Sequence, residues 1–72
     1  SLLNTHFSIS GPRQKIEEIS SQFDVFSVES LGDFKTIYVS AKRPLNLPPE
    51  ITVNSLNLQN YFVQLTKRKL EL

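Results

Sequence analysis

Residues 25–41 read Val-Phe-Ser-Val-Glu-Ser-Leu-Gly-Asp-Phe-Lys-Thr-Ile-Tyr-Val-Ser-Ala, and this stretch decides the fold of the chain. Polar and apolar side chains alternate on both sides of residues 31–33, which is the pattern of two half-buried strands. Gly32 supplies the positive φ that a tight hairpin turn needs. The stretch therefore predicts a β-hairpin. The side chains predicted to share a face are Phe26 with Val28 in the first strand, and Ile37, Val39 and Ala41 in the second.

The residues before the hairpin predict a strand followed by a helix. Residues 5–10 alternate polar and apolar, so Phe7 and Ile9 are expected to face the core. We expect the strand to break at residues 11–12, because the proline there suits the first turn of a helix. A helix is predicted over residues 12–22, and its core-facing residues are Ile16, Ile19 and Phe23.

The residues after the hairpin predict a loop, a short strand and a last helix. Residues 42–50 contain three prolines, which exclude a helix interior or a central strand. Residues 51–53 predict a strand, after which Ser55 or Asn54 is expected to cap a helix. Because Phe62 is expected to be buried, Phe62→Ala should lower the free energy of unfolding by about 3–5 kcal/mol. The apolar stripe predicted for this helix consists of Leu58, Phe62 and Leu65.

The order strand, helix, strand, strand, strand, helix predicts an α+β fold. We expect an antiparallel-leaning sheet of about four strands with both helices on one face, in a ferredoxin-like variant that lacks the second helix. Residues 1–72 are expected to form one small domain, since a chain of this length buries only about 60% of its unfolded surface. The chain contains no methionine, which indicates a piece of a longer protein.

The composition excludes several classes of function. Eight basic and seven acidic residues give a net charge of +1, which is not the basic excess typical of a nucleic-acid-binding protein. The chain has no cysteine, which excludes disulfides and thiolate metal sites. No apolar stretch has the length of a transmembrane helix and no signal-peptide pattern opens the chain, so a cytoplasmic location is expected.

No pattern predicts a catalytic, cofactor-binding or metal-binding residue. His6 is the only histidine and is expected on the outer side of the first strand, without partners at metal-ligand spacing. Glu17 and Glu18 are adjacent, so they diverge around a helix and are expected to be solvated. Gly11 and Gly32 are the only glycines, so neither a P-loop nor a dinucleotide-binding fingerprint can be assembled. Enzyme activity is therefore not expected of this chain.

Two groups of residues suggest binding, and each also has a structural explanation. The basic run Lys67, Arg68 and Lys69 lies near the end of the last helix, where positive charge complements the helix dipole. Contact with acidic headgroups or nucleic acid is the alternative for this run. Tyr61 and the basic run are the candidates for contact with a partner. The strand aromatics resemble an RNA-binding platform, but one sheet face alone could carry it, and core packing is the favoured explanation because Phe7 and Phe26 are expected to be needed for the core. The aromatics in question are Phe7, Phe26, Phe34 and Tyr38.

Residues 55–66 resemble the Ser-Leu-Glu-Asp-x-Phe-x-x-Leu-Thr ending of ATP-binding subunits of bacterial ABC exporters for drugs, peptide antibiotics and bacteriocins. The order of elements also resembles the accessory domain that follows the nucleotide-binding domain in this family. The residues that carry the resemblance are Ser55, Leu56, Phe62, Leu65 and Thr66.

The chain departs from the family pattern in two places. Asn57 and Leu58 replace the acidic pair, which removes the capping-box partner of Ser55. Either Ser55 caps the helix alone, or Asn57 begins it later. In addition, the loop at residues 42–50 stands where the family has a second helix.

The resemblance implies a role outside catalysis. It implies a C-terminal regulatory or interaction domain without a cofactor of its own, whose parent chain couples the hydrolysis of ATP, with Mg, to export. The implied partners are the nucleotide-binding domain of the same chain, a second ATP-binding subunit or the membrane permease subunit, at the inner face of the cell membrane. Nucleic acid is not expected. The alternatives are a free-standing regulatory module that binds a small ligand and, after it, a nucleic-acid-binding domain.

Overall fold

The computed structural model describes residues 6–42 and 45–70, without the side chains of residues 58 and 68–70. It confirms the α+β class and the predicted order of elements. A single 3₁₀ turn at Ser20–Gln22 extends the first helix. The strands and helices are β1 (His6–Pro12), α1 (Arg13–Ile19), β2 (Asp24–Leu31), β3 (Phe34–Ser40), β4 (Thr52–Ser55) and α2 (Leu58–Leu70).

The four strands form one antiparallel sheet in the order β2-β3-β1-β4. This is the strand order of the ferredoxin-like arrangement, in which a strand–helix–strand unit encloses a hairpin strand. A loop runs from β3 to β4 where that arrangement has its second helix. Leu45, Leu47 and Ile51 of this loop pack against the core, so the loop covers the part of the sheet that α1 leaves open.

The predicted hairpin is present, with its turn at residues 32–33. Gly32 has a φ of 58°, a left-handed conformation that glycine adopts without a steric penalty. Arg13 joins this turn to the start of α1, because its backbone N–H donates to the Asp33 carbonyl at 2.6 Å. Its guanidinium also donates to the Gly32 carbonyl, at 2.8 Å.

The core lies between α1, the loop and one face of the sheet, which we call the core face. Phe7 and Ile9 point to this face, as the alternation of β1 predicts, while His6, Ser8 and Ser10 point to the opposite, outer face. The buried residues that form the core cluster are Phe7, Ile9, Ile16, Ile37, Val39 and Ile51.

β1 is longer at its end than the sequence predicts. Gly11 and Pro12 do not break the strand; they pair with Lys35 and Phe34 of β3. A side chain at Gly11 would lie 3.4 Å from both the Glu50 carbonyl and the Ile51 side chain. The small residue therefore lets the loop approach the strand closely.

A β-bulge in β2 overturns the prediction that Phe26 and Val28 share a face. Val25 pairs with Val39, but the next paired residue is Ser27, opposite Tyr38. The extra residue shifts the alternation by one position. Phe26 is consequently buried against aromatic rings of the outer face, and Val28 lies beside Ile37 at the sheet edge.

The two helices lie on opposite faces of the sheet, and the expectation of one shared face was wrong. Ile16 of α1 belongs to the core cluster, whereas Tyr61 of α2 stacks on His6 of the outer face. Successive residues of a strand point to opposite faces, so helices that contact Phe7 and His6 must lie on different sides. The loop between β3 and β4 takes the place beside α1 that a second helix would fill.

Candidate functional site

The last helix begins at Leu58 and is capped by Asn57. The backbone N–H of Asn60 donates to Asn57 Oδ1 at 2.7 Å, which is the geometry of an N-cap. Ser55, the first alternative for the cap, lies in β4 and pairs with Phe7 of β1. Of the two starts that the sequence allows, the structure has the later one.

Aromatic rings join α2 to the outer face of the sheet. The Tyr61 ring lies 4.1 Å from the His6 ring and 5.2 Å from the Phe26 ring, measured between centroids. Phe26 also contacts His6 at 6.0 Å and Tyr38 at 6.5 Å. Rings at these distances and tilts attract one another beyond the area that they bury. This cluster fixes the position of the first half of α2.

Polar contacts continue the attachment along β2. Ser27 Oγ donates to Gln64 Oε1 at 3.2 Å, and the Lys67 ammonium donates to Glu29 Oε2 at 2.5 Å. The Tyr38 hydroxyl donates to the other oxygen of Glu29, at 2.8 Å. Both carboxylate oxygens of Glu29 are therefore satisfied by groups from different elements.

These contacts change the pKa of two side chains. The hydrogen bond from Lys67, and next the one from Tyr38, lower the pKa of the Glu29 carboxyl, while burial acts in the opposite direction. Burial, and next the hydrogen bond to Glu29, raise the pKa of Tyr38 to about 12. At neutral pH both groups have the protonation state that their hydrogen bond needs, because an ionised Glu29 accepts and a protonated Tyr38 donates.

The structure overturns the predicted orientation of α2. Phe62 is 67% exposed, so its assignment to the core was wrong, and the reason given for a cost of Phe62→Ala no longer holds. Tyr61, expected to meet a partner, instead faces the sheet. The side of α2 that faces the sheet contains Tyr61 and Gln64. This side is rotated about the helix axis from the predicted stripe by about 100°, the angle between successive helix residues. The helix lies over a largely polar face, so aromatic and polar contacts set its rotation in place of an apolar stripe.

The remaining candidates of the C-terminal segment lie in different environments. Leu56 is buried, and its backbone N–H donates to the His6 carbonyl at 2.9 Å. Leu65 is half-buried, and Thr66 is exposed with its hydroxyl donating to the Phe62 carbonyl at 2.9 Å. The candidates whose side chains lie outside the described part of the structure are Leu58, Arg68 and Lys69.

The strand aromatics do not form a common binding platform. Phe7 lies on the core face, and Phe26 is buried against the rings of the outer face. Tyr38 is half-buried and donates to Glu29, which leaves Phe34 exposed at the end of the hairpin. Lys67, one of the basic residues considered for nucleic acid, is bonded to the same Glu29. The arrangement therefore gives no support to base stacking on this face.

The described surface includes two depressions of note. One, of about 630 Å³, lies at the hairpin end of β2 and β3; its lining residues are Val28, Glu29, Ser30, Leu31, Phe34 and Thr36. The other, of about 410 Å³, lies where β2 begins and the loop leaves β3. It carries one carboxylate, Asp24, and one ammonium, Lys42, beside the apolar Phe23, Leu45 and Leu47.

Among residues 6–42 and 45–70, no three side chains of histidine, cysteine, aspartate or glutamate come together as metal ligands. Within the same ranges, neither helix has the length and apolar character needed to cross a bilayer. Comparison of the chain with protein-family models, with curated proteins and with solved structures found no match. The function is therefore argued from the residues and their geometry.

Proposed function

We propose that this chain is a C-terminal accessory domain of the ATP-binding subunit of a bacterial ABC exporter. In this proposal the domain is not catalytic, and the parent subunit binds Mg-ATP and couples its hydrolysis to export. The domain contacts the nucleotide-binding domain of its own chain, a second ATP-binding subunit or the permease. Its place is the cytoplasmic side of the membrane, to which the parent transporter holds it.

The position of the helix cap carries this proposal. With Asn57 as the cap, residues 57–66 align without a gap to the Ser-Leu-Glu-Asp-x-Phe-x-x-Leu-Thr ending. Asparagine and serine are both favoured caps, and Gln59 and Asn60 are the amide counterparts of the acidic pair. The identical positions are Leu58, Phe62, Leu65 and Thr66. Aligned instead from Ser55, the chain has two residues more before Phe62 than the pattern has.

The outward side of α2 supports a role in contacting another domain. Phe62 and Val63 are 67% and 44% exposed, and both lie outside the side of the helix that carries Tyr61 and Gln64. Large exposed apolar side chains of this kind occur on surfaces that meet a partner. We propose that the outward side of α2, rather than Tyr61, contacts the parent subunit.

The gene upstream of the codon for Ser1 provides the first test. Walker and signature motifs in the same reading frame are expected. An upstream sequence without them would overturn the assignment, and a generic α+β module would remain.

The full-length subunit provides the second test. We expect Phe62→Ser to change the rate of ATP hydrolysis in the assembled transporter while leaving ATP binding intact, because it removes a docking contact and no nucleotide ligand. Gln59→Ser, at an exposed polar position of the same helix, is the matched control and should leave both properties unchanged. Equal hydrolysis rates for the two variants would contradict the role of this surface.

The isolated chain provides the third test. Addition of Mg-ATP should leave the backbone amide resonances of residues 6–70 in place. Saturable shifts on addition of nucleotide would show a binding site and would contradict a purely accessory role.

The depression beside Asp24 and Lys42 favours a second candidate, a regulatory module that binds a small ligand. A carboxylate and an ammonium in one depression with apolar side chains suit a zwitterion such as an amino acid. A native-state ligand raises the melting temperature as its concentration exceeds the dissociation constant. A set of the amino acids should therefore contain one that stabilises the wild-type chain and not the Asp24→Asn variant. If no amino acid does so, this candidate is rejected.

A further inference from the structure

β2 is an edge strand of the sheet. The strand order is β2-β3-β1-β4, so among residues 6–42 and 45–70 only β3 pairs with β2. Edge strands are usually protected by short length, lysine, proline or a bulge. β4, at the other edge, is short, whereas β2 has eight residues and its bulge lies between Val25 and Ser27. Residues 27–31 therefore form a regular edge without lysine or proline, and we call them the open edge.

The hairpin register shows which backbone groups point outward from the open edge. Leu31 and Phe34 are paired across a turn of two residues, and the closing pair of such a turn exchanges both of its backbone hydrogen bonds. Hydrogen-bonded and non-hydrogen-bonded pairs alternate along an antiparallel ladder. Glu29 therefore bonds β3, while the N–H and C=O groups of Val28 and Ser30 point away from the sheet.

Two contacts elsewhere in the sheet agree with this alternation. Phe34 directs its backbone groups toward β2, so its pair with Pro12 of β1 is a non-hydrogen-bonded one. This position suits proline, which has no N–H to donate. Continued along β3 and β1, the alternation directs the His6 carbonyl toward β4, where it accepts from the Leu56 N–H at 2.9 Å.

The open edge borders a depression and exposes apolar side chains. The residues that line the 630 Å³ depression are Val28, Glu29, Ser30, Leu31, Phe34 and Thr36. Successive strand residues point to opposite faces, so a depression that touches four of them in a row lies along the edge. Val28 and Leu31 are 47% and 84% exposed there. Because Lys67 bonds the Glu29 carboxylate, an uncharged, apolar partner fits this edge.

α2 restricts what can pair with the open edge. The helix lies above β2, where Gln64 bonds Ser27 and Lys67 bonds Glu29. A second copy paired through its own β2 would lie about 4.8 Å away, the spacing of neighbouring strands. Its α2 would then approach the first α2 about as closely, whereas packed helices stand about 8–10 Å apart. An extended peptide brings no such helix and fits beside β2.

We propose that the open edge binds an extended, uncharged peptide segment of another protein, which adds a fifth strand to the sheet. The backbone groups of Val28 and Ser30 form four hydrogen bonds with this segment. Its alternate side chains cover Val28 on the core face and Leu31 on the outer face. In strand addition the backbone bonds provide affinity and the side chains provide specificity. The inference does not depend on the proposed transporter.

Amide hydrogen exchange of the full chain provides the first test. In dilute solution the amides of Val28 and Ser30 should exchange rapidly, while those of Glu29 and Leu31 are protected. Protection of Val28 and Ser30 in the dilute chain would overturn the proposal, because the edge would already be occupied. Protection that grows with protein concentration would also overturn it, because a second copy would then be the partner.

A capped peptide of alternating threonine and valine, six residues long, provides the second test. Its addition should shift the amide resonances of residues 27–31 in a saturable way and slow the exchange of Val28 and Ser30. The same peptide with every backbone nitrogen methylated cannot donate hydrogen bonds and should not bind. The proposal is overturned if the parent peptide causes no saturable shift at millimolar concentration, or if the methylated peptide binds equally well.

Two substitutions at one exposed position provide the matched variants. Ser30→Pro removes an outward N–H and no bond between β2 and β3, as edge strands tolerate. It should weaken binding of the parent peptide about tenfold, the effect of one lost hydrogen bond. Ser30→Ala keeps the N–H and should bind as the wild type does. Unchanged amide resonances of β1 show that both variants fold, and equal affinities of the two would contradict pairing at the open edge.

Discussion

At the scale of single residues, Tyr61 is the main anchor of the last helix. Its ring contacts both His6 of β1 and Phe26 of β2. Its neighbour Phe62 is exposed. Two adjacent aromatic residues of one helix thus have opposite roles, one holding the helix and the other facing outward.

Replacing Tyr61 should therefore lower the free energy of unfolding more than replacing Phe62 does. Tyr61→Ala removes a half-buried ring and two ring pairs, and we expect it to lower the free energy of unfolding by about 1–3 kcal/mol. Phe62→Ala, the matched control, should change it by no more than about 0.5 kcal/mol. Urea unfolding of both variants measures the difference. If Phe62→Ala proved the more costly, the orientation of α2 described above would be wrong.

At the scale of elements, α2 depends on its cap, on ring contacts with β1 and β2, and on polar contacts with β2. Asn57 satisfies one N–H of its first turn, and the helix has no acidic residue there to favour the dipole. Its polar contacts go to Ser27 and Glu29 of β2. Loss of either the cap or the strand contacts should loosen this helix before the sheet.

Asn57→Ala tests the cap. The loss of the side-chain acceptor should lower the free energy of unfolding by about 0.5–2 kcal/mol. Asn60→Ala makes the same substitution inside the helix, where alanine is the better helix former, and should be neutral or slightly stabilising. Amide hydrogen exchange in α2 should rise for Asn57→Ala alone. Similar exchange rates in the two variants would show that Asn57 is not the cap.

At the scale of the whole molecule, the Glu29 carboxylate links three elements, β2, β3 and α2, through Lys67 and Tyr38. The folded protein lowers the pKa of Glu29 below 4.5 and raises that of Tyr38. Stability should therefore depend on pH at both ends of the range.

In acid, the contribution of Glu29 to the free energy of unfolding is present above pH 4.5, the ordinary pKa of a glutamate. It is lost as the pH falls through the lower pKa that Glu29 has in the folded protein. Because Glu29 and Lys67 are more than a third exposed, solvent limits the contribution to about 1 kcal/mol or less. Glu29→Gln should show a shallower loss of stability between neutral pH and pH ~3. Identical pH profiles for the two proteins in urea unfolding would contradict the role of Glu29.

In alkali, stability falls as the pH rises, because the folded state retains a proton that the unfolded state releases. The contribution of Tyr38 is complete below pH 10, its ordinary value, and is lost as the pH rises through about 12. Spectrophotometric titration should show tyrosinate forming late, and Tyr38→Phe should remove that late part. If the variant and the wild type had the same late titration, Tyr38 would not be the protected tyrosine.

Much of the sheet could be predicted from local patterns. The alternation of β1 predicts that Phe7 and Ile9 are buried, and the glycine turn predicts the hairpin. These features depend on side-chain spacing within one element, which the sequence states directly. The face of Phe26 could not be predicted, because a bulge arises from the pairing of β2 with β3 and leaves the composition of the strand unchanged.

The sequence by itself determined the elements, their order and the inward residues of β1 and β3, because the periodicity of each element depends only on its own residues. The tertiary structure alone decided the start, side and rotation of α2. Pairing of Ser55 with Phe7 keeps that serine in β4 and leaves Asn57 to cap the helix. Contact with the rings of His6 and Phe26 then turns Tyr61, rather than Phe62, toward the sheet. These partners are 55 and 35 residues away from Tyr61 in the chain, so the rotation of the helix depends on tertiary contacts. No pattern within residues 58–70 contains that information.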